Sequence, residues 1–87
     1  MIEKNELTDE QLIKDFQAGD SHAFEELVER YKNRIYNFIY RFVNDVSLAE
    51  DLTQDTFLKL FTHKDSYRDI AKFSTWLYTI AQNLAKT

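Results

Sequence analysis

Lys72, Thr75, Thr79, Gln82, Asn83 and Lys86 recur along one side of residues 72–86, offering amines, hydroxyls and amides with no carboxylate among them. Read at 3.6 residues per turn, the same stretch puts Phe73, Trp76, Leu77, Ile80, Ala81 and Leu84 on the other side, the spacing of a helix packed against a core. Amines, hydroxyls and amides reach phosphate oxygens and base edges. The polar face is therefore a candidate for non-covalent recognition of nucleic acid.

A second constellation precedes it. Residues 63–71 read His63-Lys64-Asp65-Ser66-Tyr67-Arg68-Asp69-Ile70-Ala71, longer than the usual connection of a few residues. Loops on a rigid scaffold often carry recognition. Tyr67 offers a stacking face flanked by Lys64 and Arg68, a combination suited to a single strand. The plainer reading, given equal weight, is that Tyr67 and Ile70 pin the loop to the core. A third group, Glu50, Asp51, Gln54, Asp55 and Leu58, forms an acidic ridge bearing one outward leucine. It is either a docking surface or a solvated helix face. His22 and His63 stand alone, and Glu25, Glu26 and Glu29 read as another solvated face. No catalytic residue, metal site or cofactor is expected.

These groups need a scaffold, and the composition says which. With 87 residues, 44% hydrophobic and 30% charged, the chain suits one globular domain, residues 1–87, with one core. It has no proline and a single glycine, so long helices are permitted and tight hairpins are poorly provided for. The fold expected is an all-α, compact bundle of about four helices with a long loop before the last. Without cysteine there is neither a disulfide framework nor a thiolate metal site. The first residues lack the apolar core of a signal peptide, and no run approaches the about 20 residues of a membrane span. We therefore expect a cytoplasmic protein. The net charge of −4 is unevenly spread: residues 1–56 hold 6 basic against 13 acidic residues, and residues 57–87 hold 5 against 2. Only the last third could welcome a polyanion, and too weakly for tight autonomous duplex binding.

In order along the chain, Thr8 to Gln11 reads as a capping box opening a helix over 9–18, with Leu12, Ile13 and Phe16 inward and Gly19 as its stop. Asp20 or Ser21 caps a second helix, 21–44, whose stripe is Phe24, Leu27, Val28, Tyr31, Ile35, Phe38, Ile39 and Phe42. Tyr36 and Tyr40 lie off that stripe. Ser47 to Glu50 reads as another capping box for a helix over 47–62, with Ala49, Leu52, Thr53, Thr56, Phe57, Leu60 and Phe61 inward. The last helix spans 72–86. It reaches Thr87 without a stop signal, so we expect a piece cut from a longer chain.

Gly19-Asp20 with Ala23-Phe24, then Leu27 and Tyr31, then Ala49-Glu50-Asp51-Leu52 with Gln54 and Phe57, then Phe73 to Tyr78 and Ile80-Ala81 with Asn83, together resemble region 2 of bacterial RNA polymerase sigma factors of the extracytoplasmic-function group. Four fragments in the right order and spacing cover roughly residues 9–85. The resemblance implies a promoter-recognition module that docks on the β′ clamp helices of the polymerase and captures the minus-ten element, mainly its single-stranded non-template strand. It assigns β′ docking to Glu50, Asp51, Gln54, Asp55 and Leu58. It assigns DNA contact to Lys64, Tyr67, Arg68, Lys72, Ser74, Thr75, Thr79, Asn83 and Lys86. It also implies an anti-sigma partner.

Many members of that family carry arginine where this chain has Thr79 and Gln82, so the last helix is less basic than the family pattern. No stretch of this sequence resembles the family's second promoter-binding domain, which we expect to be absent from this piece. Trp76 is open between core packing, favoured by its place on the apolar stripe, and a wedge against the base pair beside the melted segment. The alternative for the whole chain is a helical protein-interaction module, binding polymerase or an anti-sigma protein without DNA readout. A helix-turn-helix reader fits less well, because the connection from His63 is too long.

Overall fold

Thr8 starts the first helix as its composition requires. In a computed structural model, which describes residues 3–86, its hydroxyl accepts from the Gln11 amide at 3.1 Å while the Gln11 side chain accepts from the Thr8 amide at 2.8 Å. The helix α1 (Asp9–Gln17) follows, preceded by a 3-10 turn over Lys4–Glu6. Gly19 then takes φ +108°, a left-handed conformation that an L side chain rarely adopts. Asp20 caps α2 (Ser21–Val43) by accepting from the His22 amide at 3.0 Å.

The helix α2 is the axis of the bundle, about 35 Å long at 1.5 Å per residue. Leu27, Tyr31, Ile35 and Ile39 recur every fourth residue and are buried, because that repeat keeps one face towards its neighbours. Each such aliphatic side chain contributes about 1.5–3 kcal/mol on leaving water. Phe42, expected on the same stripe, is instead half exposed. It lies at the open end of α2, where, among the described residues, Phe38 is the one ring packed against it, edge-on at 5.2 Å.

Asn44 ends α2 in the left-handed region at φ 52°, and Asp45 starts α3 (Val46–Thr62) by accepting from the Leu48 amide at 2.9 Å. The cap is thus Asp45 and not Ser47, which already lies in the first turn. A carboxylate is the stronger acceptor at a helix N-terminus, and the two-residue corner leaves no room for a later start. Ala49, Thr56, Phe57 and Leu60 face inward, and the buried Thr56 hydroxyl donates to the Leu52 carbonyl. Phe61, also expected inward, stays half exposed at the edge of an aromatic cluster, 5.6 Å from Phe16 and 5.3 Å from Phe24.

The connection to α4 (Phe73–Lys86) contains a short 3-10 turn, Lys64–Ser66. Phe73, Leu77 and Ala81 are the buried face of α4, with Trp76, Ile80 and Leu84 half-buried beside it. Thr87, where the sequence lacks a stop signal, lies outside the described residues. Charged groups tie the amino-terminal elements together: Arg30 donates to Glu26, to Asp9 and to the Lys4 carbonyl at 2.9–3.1 Å. Beside it the Tyr31 hydroxyl donates to Asp9, and burial, then this bond, pushes the phenol well above its ordinary range. No helix of the described residues is long and apolar enough to cross a membrane.

Candidate nucleic-acid interface

The loop before α4 is held from one side by α1. Gln17 Nε2 donates to the carbonyl of Lys64 at 2.8 Å and to that of Tyr67 at 3.3 Å. Lys14 pairs with Asp69 at 2.8 Å. A carboxylate oxygen of Glu10 accepts from the amide of Phe73, the first residue of α4, at 2.8 Å. The amides of a helix's first turn have no partner within the helix, so an acid from outside satisfies one and meets the positive end of the helix dipole. None of these three roles was visible in the sequence, because each joins residues some fifty or more positions apart.

Tyr67 is buried. Its ring packs edge-on against Phe73 at 5.9 Å and Trp76 at 5.3 Å, and its hydroxyl donates to the Ala71 carbonyl. Burial, helped by the Glu10 carboxylate, holds the phenol above its ordinary range. Of the two sequence readings of this residue, pinning the loop is the one its position matches, and its face is not free to stack on a base. Ile70, expected to pin the loop with it, is 91% exposed. Lys64 is half-buried, with its ammonium 5.2 Å from the centre of the Phe16 ring.

Arg68 and Lys72 are exposed at the crest of the loop. Thr75, Thr79, Asn83 and Lys86 continue from them as an exposed row along α4, with Ser74 half-buried at its start. Thr79 turns its hydroxyl back onto the Thr75 carbonyl at 2.8 Å, leaving acceptor lone pairs outward. Beneath the loop lies an open hollow of about 430 Å³ lined by Asp9, Glu10, Asp69, Lys72 and Ser74 among others. Three carboxylates repel phosphate there, but they could accept from the exocyclic amine of a base. The ridge of α3, with Glu50, Asp51, Gln54, Asp55 and Leu58, is exposed throughout. It belongs to a different element from the loop and the α4 row. No group of three or more His, Cys, Asp or Glu among the described residues could hold a metal ion.

A second open trough runs between α2 and α4. Arg34, Asn37, Phe38, Arg41 and Phe42 line it from one helix, and Tyr78 and its neighbours from the other. Sequence assigned no site role to Arg34, Asn37, Phe38, Arg41, Phe42 or Tyr78, although Arg34, Asn37 and Arg41 follow one another at helical spacing.

The model for Sigma-70 region 2 matches residues 27–87. The chain belongs to that family. The ECF RNA polymerase sigma factor SigW of Bacillus subtilis is 44% identical over 72 residues, which cover 83% of this chain and 38% of SigW. The ECF RNA polymerase sigma-E factor of Escherichia coli is 40% identical over 81 residues, covering 93% of this chain and 42% of that one. The chain thus spans about two fifths of the length of these relatives. An NMR structure of an engineered region 2 of sigmaE in complex with GTAAAA superposes with a TM-score of 0.85 at 41% identity, covering 99% of this chain and 87% of that one. The all-α bundle is accordingly an ECF-type region 2 fold, a recognition module without catalytic chemistry.

Proposed function

We propose that this domain is the promoter-recognition module of a sigma factor: it docks on the β′ clamp helices of RNA polymerase and captures the non-template strand of the minus-ten element as it melts. The observation that carries the reading is the acid-free row that starts at Lys72 and continues as Thr75, Thr79, Asn83 and Lys86 on the exposed face of α4, in a fold similar to a region 2 held in complex with GTAAAA. Arg68, Lys72 and Lys86 meet phosphates, Ser74, Thr75 and Thr79 add hydroxyls, and Asn83 supplies a donor and an acceptor to a base edge. Tyr67 acts by fixing the loop, and Lys64 contributes from its margin. Trapping extruded bases makes strand separation favourable without covalent chemistry. The α3 ridge faces the polymerase, its acids pairing with arginines of a basic coiled coil and Leu58 adding an apolar contact.

Leu48, Leu58 and Phe61, exposed on α3, favour a second reading in which the domain binds only protein, polymerase or an anti-sigma factor. Fluorescence anisotropy with single-stranded GTAAAA, its duplex and a randomised single-stranded pool separates the two. Promoter recognition gives weak duplex binding and a preferred single strand, with affinity reduced by Asn83→Ala. No preference for any single-stranded sequence overturns it in favour of the protein-only reading.

A further inference from the structure

Six basic residues precede Phe57, in the acidic part of the chain. Four of them lie within 4 Å of a carboxylate: Lys4 with Asp15 and Asp20, Lys14 with Asp69, Arg30 with Asp9 and Glu26, and Lys32 with Glu29. The other two, Arg34 and Arg41, both line the trough between α2 and α4. Among the described residues neither has a carboxylate partner; Arg34 rests its guanidinium 5.6 Å from the centre of the Tyr31 ring. Among the described residues no acid lines the trough. In a chain of net charge −4, two arginines left unneutralised two turns apart on one face of α2 are a local surplus that an anion would complete.

The walls between them are aromatic. Phe38 meets Tyr78 edge-on at 5.0 Å and Phe42 at 5.2 Å, and Phe42 keeps half its surface in solvent. Adjacent hollows of about 400 and about 470 Å³ share Phe38 and Tyr78, and the larger opens onto Ser74, Thr75, Thr79 and Gln82. The Phe38–Tyr78 contact stands between the two hollows, and the one that holds Phe42 reaches the polar row of α4 directly. Cations that track a backbone beside an exposed ring are the chemistry of single-strand binding.

We infer that the α2–α4 trough is a second subsite for the same DNA strand, in which one unpaired nucleotide lays its base against Phe42 while Arg34 and Arg41 hold its flanking phosphates. The inference rests on the promoter-recognition reading and extends the footprint from α4 to α2. Continuity with the α4 row and the missing acids favour a nucleotide over an acidic segment of a protein partner.

The test is anisotropy on the folded domain with two labelled probes, the hexamer GTAAAA and the 14-mer TTTTGTAAAATTTT. The subsite predicts tighter binding of the 14-mer. It predicts an about tenfold loss for Phe42→Ala on the 14-mer, with a much smaller loss on the hexamer. Arg41→Gln should lower the slope of log affinity against log salt by about 0.7. Phe42 and Arg41 are both exposed, and circular dichroism checks that each variant is folded. Asn83→Ala serves as the α4 control. If Asn83→Ala weakens binding while Phe42→Ala and Arg41→Gln bind within about twofold of wild type, the subsite is overturned and promoter recognition stands. Loss of polymerase-core capture by those two variants, with DNA binding intact, would assign the trough to a protein. If the wild type binds neither probe in preference to duplex, both readings fall.

Discussion

Glu10 Oε2 lies 2.8 Å from the amide nitrogen of Phe73, so a side chain of the first helix caps the last one across 63 positions of sequence. With Gln17 on the Lys64 and Tyr67 carbonyls, this bond makes α1 the support on which the loop and the start of α4 are built. Glu10→Ala removes a cap and should cost about 0.5–2 kcal/mol in urea unfolding. It should also speed hydrogen exchange at Phe73. Gln17→Ala should cost about 1 kcal/mol, with faster exchange through residues 64–71. Unchanged stability and unchanged Phe73 exchange in Glu10→Ala would show that α4 holds its own start.

The α3 ridge yields a prediction that leaves the fold untouched. Asp51 is exposed and has no ion pair among the described residues, so Asp51→Arg should change stability by less than about 0.5 kcal/mol. Facing a basic partner, the reversed charge should weaken capture of the β′ clamp helices by about tenfold or more. A pull-down with purified clamp helices reads this directly. Equal capture by wild type and Asp51→Arg would remove the docking assignment.

The amino-terminal turn gives a pH dependence at both ends of the scale. The Asp20 carboxyl is held below its ordinary 3.8, first by its hydrogen bond with Lys4, against a burial effect of opposite sign. A depressed carboxyl contributes stability that is fully present above the unfolded value and lost as pH falls through the folded one. The Lys4 ammonium is raised above its ordinary 10.5 by the same bond. Its contribution is present below that value and lost as pH rises past it. The turn over Lys4–Glu6 should therefore stay docked across the neutral range, loosening only as pH falls below the ordinary carboxyl value of 3.8 and through the depressed one, or rises above the ordinary ammonium value of 10.5 and through the raised one. An NMR titration following the amides of Lys4, Glu6 and His22 checks this, and high salt should not release the turn at pH 7 if the hydrogen bond dominates.

The bundle was legible in the sequence because its main signals are local: the Thr8 box, Gly19, and the four-residue repeat from Leu27 to Ile39. Local reading failed where two signals competed. Asp45 and Ser47 both resemble a cap, and the short corner chose the earlier one. Phe42 and Phe61 obey helical periodicity, yet periodicity cannot say which ring a neighbour covers, and both, near the carboxy-terminal ends of α2 and α3, stay half exposed. The interface was legible along α4, where face and sequence spacing coincide. It was illegible in the loop, because whether Tyr67 points in or out depends on Phe73 and Trp76 lying beneath it. The pairing that leaves Arg34 and Arg41, of the six basic residues before Phe57, without acids among the described residues is likewise a property of the assembled helices.

Trp76 separates packing from action on DNA. It is half-buried, 5.3 Å from Tyr67 and 6.0 Å from Phe73, so its ring covers the residue that pins the loop. If packing is its main role, Trp76→Ala should cost about 3 kcal/mol, the low end for a large aromatic because part of the ring remains in solvent. Trp76→Phe should keep most of the contact with Tyr67 and cost less than about 1.5 kcal/mol. Promoter opening should then follow stability across the two variants, failing in Trp76→Ala and recovering as temperature is lowered. A wedge gives a different pattern. Trp76→Ala would unfold at the wild-type midpoint yet fail to open promoter DNA at any temperature, and that result would move Trp76 from the support of the loop to the surface that meets the duplex.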